Sequence, residues 1–298
     1  MFIDKIKDGV IFMDYYQLTI DRKSTRDFKE KDVPEQLLSE IKAYFDGCKR
    51  LIPSINTSLM LIDPDTTPMM NGCVGYKDLL IKAPAYALIL SAPADNYLEN
   101  AGYIGEDLVL KLTDMGLDTC WLTINEAGKL AQRLNINGGM VPAALIAFGY
   151  GKPQTEQTRL DIVNISNVNL KQRSGNIAPK LYITDAICSE DMGITENPNI
   201  LETYTDLYKG LISACCAPSF LNQQPYRFII KGGKFILVSI PDEDTNESDA
   251  KLDLGITMLN FYRTLTQRSG VYTGWIMGAP EGEYDLPEGG KIEAYFNI

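Results

Sequence analysis

The chain has 298 residues, of which 45% are hydrophobic and 22% charged, a composition typical of globular proteins with a sizeable core. Its net charge of −11 disfavours broad contact with nucleic acid or anionic membranes, so an anionic ligand would require a local group of cations. The absence of histidine excludes Ser-His-Asp and Cys-His catalytic machinery and histidine-ligated metal sites.

Neither a membrane segment nor a signal peptide is predicted. No stretch reaches the roughly 20 apolar residues of a membrane-spanning helix, and the first residues lack an apolar core. The six cysteines form no Cys-x-x-Cys pair, so we expect free, mostly buried thiols and no metal site. These features predict a cytoplasmic protein.

The elements predicted in chain order occur twice. In the first part of the chain, hydrophobic periodicity predicts a helix over 34–49, a strand over 86–90, a long helix over 102–115, a strand at Trp121 and a strand over 143–148. In the second part it predicts a helix over 198–215, strands over 227–230 and 234–239, a long helix over 255–269, a strand at Trp275 and a strand over 291–296.

Two hexapeptides strengthen this repeat. G-L-D-T-C-W at 116–121 and G-V-Y-T-G-W at 270–275 share Gly, Thr and Trp, and they contain the only two tryptophans. Chance similarity within an α+β chain is the alternative. We interpret the pattern as an internal duplication, with one half over residues 1–174 and the other over 175–298. No Gly/Ser-rich linker separates the halves, so we expect them to pack closely.

Between Pro241 and Lys251 the sequence is strongly acidic. The acidic residues of this run include Glu243, Asp244, Glu247 and Asp249. The run lacks the glycine and the ligand spacing of a calcium-binding loop, and it predicts a solvated, mobile loop. The chain also has no G-x-G-x-x-G or P-loop motif, so a nicotinamide would not be held by a Rossmann fold.

A local group of cations does occur near the N-terminus. Arg22, Lys23 and Arg26 lie within five residues, with the hydroxyls of Ser24 and Thr25 between them. Arginine presents a planar fork of donors that suits phosphate oxygens. The segment is therefore a candidate anion site in an acidic chain, and a solvated basic turn is the alternative.

The second candidate is the segment 217–226, A-P-S-F-L-N-Q-Q-P-Y, which we name the proline loop. Pro218 and Pro225 stiffen it by fixing their φ angles. Ser219, Asn222 and Gln224 offer neutral hydrogen-bonding groups that suit a polyol chain or the edge of a heterocycle. An ordinary turn rich in Ser, Asn and Pro is the alternative.

With these two motifs the sequence resembles the FMN-dependent nitroreductases. R-K-S-T-R-D-F at 22–28 resembles the R-x-S-x-R-x-F opening of that family. The run 217–228 resembles the family's A-P-S-x-x-N-x-Q-P-W-x-F loop, with Tyr226 in place of Trp. The run 102–121 resembles the family's long helix and the G-L-G-T-C segment that follows it.

The resemblance covers most of the chain and implies an α+β fold of two tandem related halves. Each half would have a mainly antiparallel sheet packed by helices, as in a fused pseudo-dimer.

The resemblance also implies a single FMN site. In that family each site takes the arginine motif from one subunit and the proline loop from the other. Here the arginine motif stands only in the first half and the complete loop only in the second. Residues 53–56, P-S-I-N, are an eroded echo of the loop. We therefore expect that one flavin site is kept and the other is lost.

The implied cofactor contacts are spread over five segments. They are Arg22, Lys23, Ser24 and Arg26 at the phosphate; Pro218, Ser219, Asn222 and Gln224 at the ribityl chain and ring edge; Lys171 and Arg173 as a further phosphate pair; Leu122 and Thr123 near flavin N5 and O4; and Gly75 and Tyr76 at the pyrimidine edge. A solvated loop cluster is the alternative for the 171–173 pair. Thr123 stands where the family commonly has an acid.

The implied activity is that of an FMN-dependent NAD(P)H oxidoreductase. It would reduce nitroaromatic or quinone-like small molecules by ping-pong kinetics. The flavin would carry the chemistry, so no catalytic side chain is expected. Two alternatives stay open: a flavin-binding or sensing protein without turnover, and a degenerate scaffold that binds no flavin. A monomer or a weak homodimer is expected, because the interface between the halves is already internal.

Overall fold

The structure is a computed structural model that describes residues 13–76, 80–153, 178–197, 199–200, 203–267 and 273–298, and only the backbone of residues 6–7, 10–11, 157–164 and 167–173. No helix in the described part of the chain is long and apolar enough to span a membrane. All six cysteines are free and four of them are buried, as expected.

The described helices are α1 Tyr15–Asp21, α2 Glu35–Gly47, α3 Thr67–Met70, α4 Tyr97–Asp114, α5 Ala127–Arg133, α6 Ile183–Ala186, α7 Thr205–Cys215 and α8 Glu247–Thr266. The described strands are β1 Ile6–Lys7, β2 Val10–Ile11, β3 Thr57–Ile62, β4 Ala85–Ser91, β5 Asp118–Leu122, β6 Val141–Gly149, β7 Gln157–Asn164, β8 Asn167–Arg173, β9 Ile187–Glu190, β10 Tyr226–Lys231, β11 Lys234–Ser239, β12 Ile276–Met277 and β13 Lys291–Asn297. Strands β1 and β2 form one small antiparallel pair, and β7 and β8 form another.

The first sheet is antiparallel, with strand order β3-β4-β6-β5. Every residue of β4 is buried, because the sheet is covered on both faces. Ala87 and Ile89 pack on the side of α2 and α4. Tyr86 and Leu88, which alternate with them, pack on the side of α3 and α5. The hydrophobic run at 86–90 is therefore a strand with two buried faces, as a continuous apolar segment predicts.

The second sheet repeats the first. Its order is β12-β13-β11-β10-β9, so the run β10-β11-β13-β12 reproduces β3-β4-β6-β5. Strand β9 is added at the edge, parallel to β10. In each half the order along the chain is helix, two strands, long helix, two strands. The predicted α+β fold with two related halves is confirmed. The boundary between 174 and 175 lies outside the described residues and stays a prediction.

The long helices α4 and α8 cross at the centre of the molecule. A Cβ atom added at Gly102 of α4 would collide with the carbonyl oxygen of Leu252. One added at Gly255 of α8 would collide with the carbonyl oxygen of Glu99. Each glycine thus faces the residue three positions before the other glycine, as a two-fold relation between the halves requires. Only glycine permits this close approach of the two backbones.

Three helix starts differ from the predicted ones. Helix α8 begins at Glu247 rather than at residue 255, because the Asn246 side chain caps it by accepting a hydrogen bond from the Asp249 N–H at 2.9 Å. The predicted solvated loop over 241–251 is wrong from Glu247 onward, since Asp249 is helical and buried. Helix α4 begins at Tyr97 rather than at residue 102.

Helix α7 begins at Thr205 rather than at residue 198. Short turn hydrogen bonds precede it, from Ile200 N–H to the Asn197 carbonyl and from Thr203 N–H to the Ile200 carbonyl. These bonds span three residues and do not continue as an α-helix. Residues 198, 201–202 and 268–272, which include most of the second hexapeptide, lie outside the described residues.

Candidate functional site

The arginine motif leaves α1 and runs beside the first sheet. Ser24 forms a parallel bridge with Thr119 of β5, and the Thr25 N–H donates to the Thr119 carbonyl at 2.8 Å. These backbone bonds fix the direction of the motif. Lys23 is 42% exposed and lies 3.8 Å from Asp118, and Arg26 is exposed. The predicted cations at 23 and 26 therefore face solvent beside the sheet.

Arg22 differs, because its side chain turns inward and is only 7% exposed. Its guanidinium donates to the Ser24 hydroxyl at 3.4 Å, and its Nε lies 3.9 Å from Oε1 of Glu106 on α4. The Trp121 indole N–H donates to the other oxygen of Glu106 at 3.1 Å. Arg22 Nε and Glu106 Oε1 are buried and have no hydrogen-bond partner within the described structure.

Burial raises the pKa of Glu106 to about 7, although Arg22 and Trp121 favour its charged form. At neutral pH this carboxyl is therefore only partly ionised. The guanidinium beside it lacks a full counter-charge, and such a group retains the capacity to bind an anion.

The proline loop is held in one conformation by its own polar side chains. The Asn222 amide donates to the Pro179 carbonyl at 2.8 Å, and the Gln224 amide oxygen accepts from Leu181 N–H at 2.8 Å. The Ser219 hydroxyl accepts from Gln224 N–H at 2.9 Å. Asn222 and Gln224 therefore fasten the loop against residues 179–181, and Ser219 closes the loop on itself. Pro218 is buried at its base.

Backbone strain is concentrated in this loop. Of the five non-glycine residues with positive φ in the described structure, three lie here: Leu221 at 45°, Asn222 at 61° and Gln224 at 53°. Asparagine tolerates this region, but a leucine there is unusual. Such residues persist only where neighbouring contacts over-determine the conformation, and they often mark ligand sites.

The Lys180 side chain lies at the seam between the halves, bonded to the proline loop and near the arginine motif. Its ammonium donates to the carbonyl of Ala217, the first residue of the proline loop, at 2.6 Å. Burial lowers its pKa to about 8, and the Arg22 guanidinium is the next largest cause. Both cations also act on the Cys216 thiol, whose pKa burial raises. Arg22, Lys180 and the root of the loop therefore lie close together.

Sequence analysis missed Lys180. The signal available was its place in the second half, in the segment that corresponds to the arginine motif of the first half, K-L-Y-I-T-D-A at 180–186.

Two more predicted segments reach the same seam. The Tyr76 ring lies 5.9 Å from the ring of Phe220 in the proline loop. The Thr123 hydroxyl donates to Asp249 of α8 at 2.9 Å, and the Thr123 carbonyl accepts from Gly75 N–H at 2.8 Å. A carboxyl group from the second half therefore lies beside the threonine that replaces the family acid.

Of the remaining predicted site residues, Leu122 does not reach the seam with its side chain, and the side chains of Lys171 and Arg173 are not among those described. The Leu122 side chain is buried in the core of the first half, so only its backbone could contact a ligand. Lys171 and Arg173 belong to β8, whose side chains lie outside the described residues, so their role stays a prediction.

The donor set fits the phosphate of the implied flavin cofactor. Arg22 and Lys180 supply two cations from opposite halves, and Ser24 supplies a hydroxyl. The partnerless atoms of Arg22 and Glu106 show that the cluster is incomplete with protein groups alone. Burial also raises the pKa of Asp253, at the same seam, well above its usual range. The site therefore brings two cations together in an acidic chain.

Comparisons with known proteins agree with this fold. A family model described as "Putative TM nitroreductase" matches residues 14–183, which include the arginine motif, α4 and Trp121. The crystal structure of a putative nitroreductase from Thermotoga maritima MSB8 matches with a TM-score of 0.55 and 20% identity, over 99% of this chain and 98% of that chain. At this identity the likeness concerns the fold.

Two shorter proteins match about half of the chain. A nitroreductase family protein from Clostridium novyi NT matches with a TM-score of 0.42 and 18% identity, over 47% of this chain and 87% of that chain. An FMN-dependent nitroreductase from Clostridium difficile R20291 matches with a TM-score of 0.40 and 18% identity, over 52% and 99%. No curated protein matches. Since the family model covers more than half of the residues, the chain belongs to the family of TM nitroreductase-type proteins.

Proposed function

We propose that the protein is an FMN-dependent NAD(P)H oxidoreductase that reduces nitroaromatic or quinone-like small molecules by ping-pong kinetics. One observation carries the proposal: Lys180 bonds to the base of the proline loop and lies close enough to Arg22 of the arginine motif for their charges to repel each other. Family membership supports the same chemistry. Because one chain supplies both parts of the site, we expect a monomer or weak homodimer. The free cysteines favour a cytoplasmic location.

The residues of the seam would bind and orient the cofactor. Arg22, Lys180 and Ser24 would hold the phosphate, and the strained proline loop would present a preformed wall. Tyr76 and Phe220 would exclude water from the ring end, where aromatic side chains can also stack on a heterocycle. When bound, FMN would supply the electron transfer between the nicotinamide and the acceptor.

The test is a titration of the purified chain with FMN, read by flavin absorbance and fluorescence. We expect one FMN per chain and NADH or NADPH oxidation with a nitroarene or quinone acceptor. Arg22→Ala should weaken FMN binding by about 10- to 100-fold, because a charge-assisted hydrogen bond contributes roughly 1.5–3 kcal/mol. Lys129→Ala is the control, since Lys129 lies on α5 and is 60% exposed.

Each alternative predicts a different outcome. FMN binding without NAD(P)H oxidation would support a flavin-binding or sensing protein, for which the threonine in place of the family acid is the motive. An absence of FMN binding, or an Arg22→Ala titration that matches the parent chain, would reject the proposed site.

A further inference from the structure

A cavity of about 330 Å³ lies between residues 180–184 and one face of α7. The residues at the α7 side share the spacing of a single helix face: Tyr208, Ile212, Cys215 and Cys216. Among the described residues that line the cavity, only Lys180 also belongs to the proposed flavin site. Pockets for small molecules measure about 300–1,000 Å³, so this cavity would accept a ligand of about one or two rings.

The wall of the cavity is apolar and its exposed rim is aromatic. Leu181, Ile183 and Ile212 line it with aliphatic side chains. Tyr182 is 78% exposed and Tyr208 is 39% exposed, so both rings border the cavity while they still face solvent. Exposed aromatic rings can pack against the ring of a ligand in stacked or edge-to-face geometry. The lining therefore favours an apolar ligand that contains an aromatic ring.

The charged group in this lining is a cation. Lys180 lines the cavity without any carboxyl group among the described lining residues, although the chain as a whole has 39 acidic and 28 basic residues. In the described structure its ammonium donates one hydrogen bond, to the Ala217 carbonyl, out of the three that it can donate. The Thr184 hydroxyl lines the same cavity. A carboxylate would therefore meet a positive charge and hydrogen-bond donors.

We propose that this cavity binds a small aromatic carboxylate, with the ring between the tyrosines and α7 and the carboxylate at Lys180. Charge complementarity selects the acid over its neutral analogue, because a hydrogen bond between two charged groups is about twice as strong as one between neutral groups. The aliphatic wall and the tyrosine rings select a ring over a small inorganic anion. Binding of the acid itself does not require the flavin.

Lys180 couples this cavity to the proposed flavin site. Its ammonium bonds to Ala217 at the base of the proline loop and, under the proposed function, would also hold the FMN phosphate. An acid in the cavity and the phosphate would draw on the same charge, so each weakens the binding of the other. Linkage requires the effect to be equal in both directions, and we expect about fivefold. This coupling, unlike the site itself, rests on the proposed function.

The experiment titrates the full chain, without added flavin, with 2-naphthoate and with 2-naphthamide at pH 7, followed by isothermal titration calorimetry. The amide has the same rings and no charge. We expect one 2-naphthoate per chain and at least about tenfold weaker binding of the amide. Lys180→Met should weaken 2-naphthoate binding by at least about tenfold and leave 2-naphthamide binding unchanged. A lysine with a merely structural role would affect both ligands alike.

Two variants on α7 test the cavity. Ile212→Trp fills part of it and should weaken both naphthalene ligands by at least about tenfold. Tyr208→Ala, at a partly exposed position, should weaken both by about threefold to tenfold, because it removes an aromatic contact. Lys129→Met, at an exposed position on α5, should behave as the parent chain does. Circular dichroism would establish that each variant is folded. If Ile212→Trp does not fold, Tyr208→Ala decides.

Phe220→Ala separates the cavity from the flavin ring end. Phe220 lies beside Tyr76 and does not line the cavity. If Phe220→Ala weakens 2-naphthoate binding and the α7 variants do not, the acid binds at the ring end and the cavity site is overturned. Equal affinities for acid and amide, or no binding by the parent chain, also overturn it.

The site, the coupling and the proposed function fail in distinguishable ways. FMN titrations with and without saturating 2-naphthoate measure the coupling. If 2-naphthoate binds as expected and FMN affinity is unchanged, the coupling is overturned and the site stands. If the parent chain binds no FMN, the proposed function fails, and the titrations with the two naphthalene ligands still decide the cavity site.

Discussion

The two halves share a frame but differ in the loops that precede their equivalent strands β3 and β10. In the second half Phe220 N–H of the proline loop donates to Asp253 of α8 at 2.9 Å. In the first half Ile52 N–H donates to Asn100 of α4, also at 2.9 Å. Asp253 and Asn100 each stand two residues before the crossing glycine of their helix. The anchor of the loop is therefore common to both halves.

Everything beyond this anchor differs. The proline loop contains three residues with positive φ, whereas residues 48–56 of the first-half loop contain none. In the first-half loop Arg50 donates back to the Asp46 carbonyl and the Thr57 hydroxyl. At the proline loop, by contrast, Lys180 and Arg22 lie at the seam. The duplicated frame is therefore kept in both halves, whereas the cations and the backbone strain mark the seam at which a ligand is expected.

The largest effect is expected at the crossing of α4 and α8, which both halves build in the same way. Gly102→Ala and Gly255→Ala should each lower the free energy of unfolding by about 3 kcal/mol, because the new Cβ atom collides with a carbonyl oxygen of the opposite helix. Denaturation by guanidinium chloride at constant pH would measure both losses. Equal losses of unfolding free energy would indicate that the two glycines contribute equally to the helix crossing.

Gly128→Ala is the matched control for these variants. A Cβ atom at Gly128, in α5, meets nothing within 4 Å. Since alanine favours helix more than glycine does, this variant should be as stable as the parent or more stable by about 0.5 kcal/mol. If one of the two crossing glycines accepted alanine at no cost, the helices would not be related as described.

A smaller effect is expected at a position where the long helices α4 and α8 carry different residues. Glu106 stands four residues after Gly102, and the position four residues after Gly255 is Leu259, which is fully buried. Burial raises the pKa of Glu106 from 4.5 to about 7, so the folded chain holds a proton that the unfolded chain releases. The contribution of Glu106 to stability is therefore fully present below pH 4.5 and is lost as the pH rises to about 7.

Glu106→Gln should remove this dependence. The difference in unfolding free energy between the parent chain and Glu106→Gln should change by up to about 3 kcal/mol between pH 4.5 and 8. Urea denaturation across that range would measure it, with Glu40→Gln, at an exposed position, as the control. Parallel profiles for the parent chain and Glu106→Gln would show that Glu106 stays charged in the folded chain.

Much of the fold could be predicted from local patterns in the sequence. The apolar run at 86–90 predicted a buried strand, and the repeated Gly-to-Trp hexapeptides aligned the halves closely enough to pair Gly102 with Gly255. These signals are local, since periodicity and glycine placement are set by the element that contains them. The arginine motif and the proline loop were found in the same way.

The contacts between distant segments could not be predicted in this way. Asp249 belongs to an acidic run that predicts a solvated loop, yet it is buried by its bond to Thr123, 126 residues away. Lys180 carries no motif, and its environment comes from Arg22 in the other half. Nor does the sequence show that Asn222 and Gln224 bond to residues 179–181, because an amide can face a ligand or a backbone equally well.

The smallest effect is expected from a substitution that converts the loop anchor of the second half into that of the first. Asp253→Asn gives the second half the amide that the first half has at Asn100. Burial raises the pKa of Asp253 well above its usual range and so favours the neutral carboxyl, which asparagine replaces with nearly the same shape. The amide oxygen can still accept from Phe220 N–H. We therefore expect the free energy of unfolding to change by less than about 1 kcal/mol and FMN affinity by less than about twofold. Chemical denaturation and flavin titration at pH 7 would measure both. A larger loss of FMN affinity would mean that Asp253 is ionised and neutralises Lys180, and the anchors of the two loops would then differ in charge as well as in residue type.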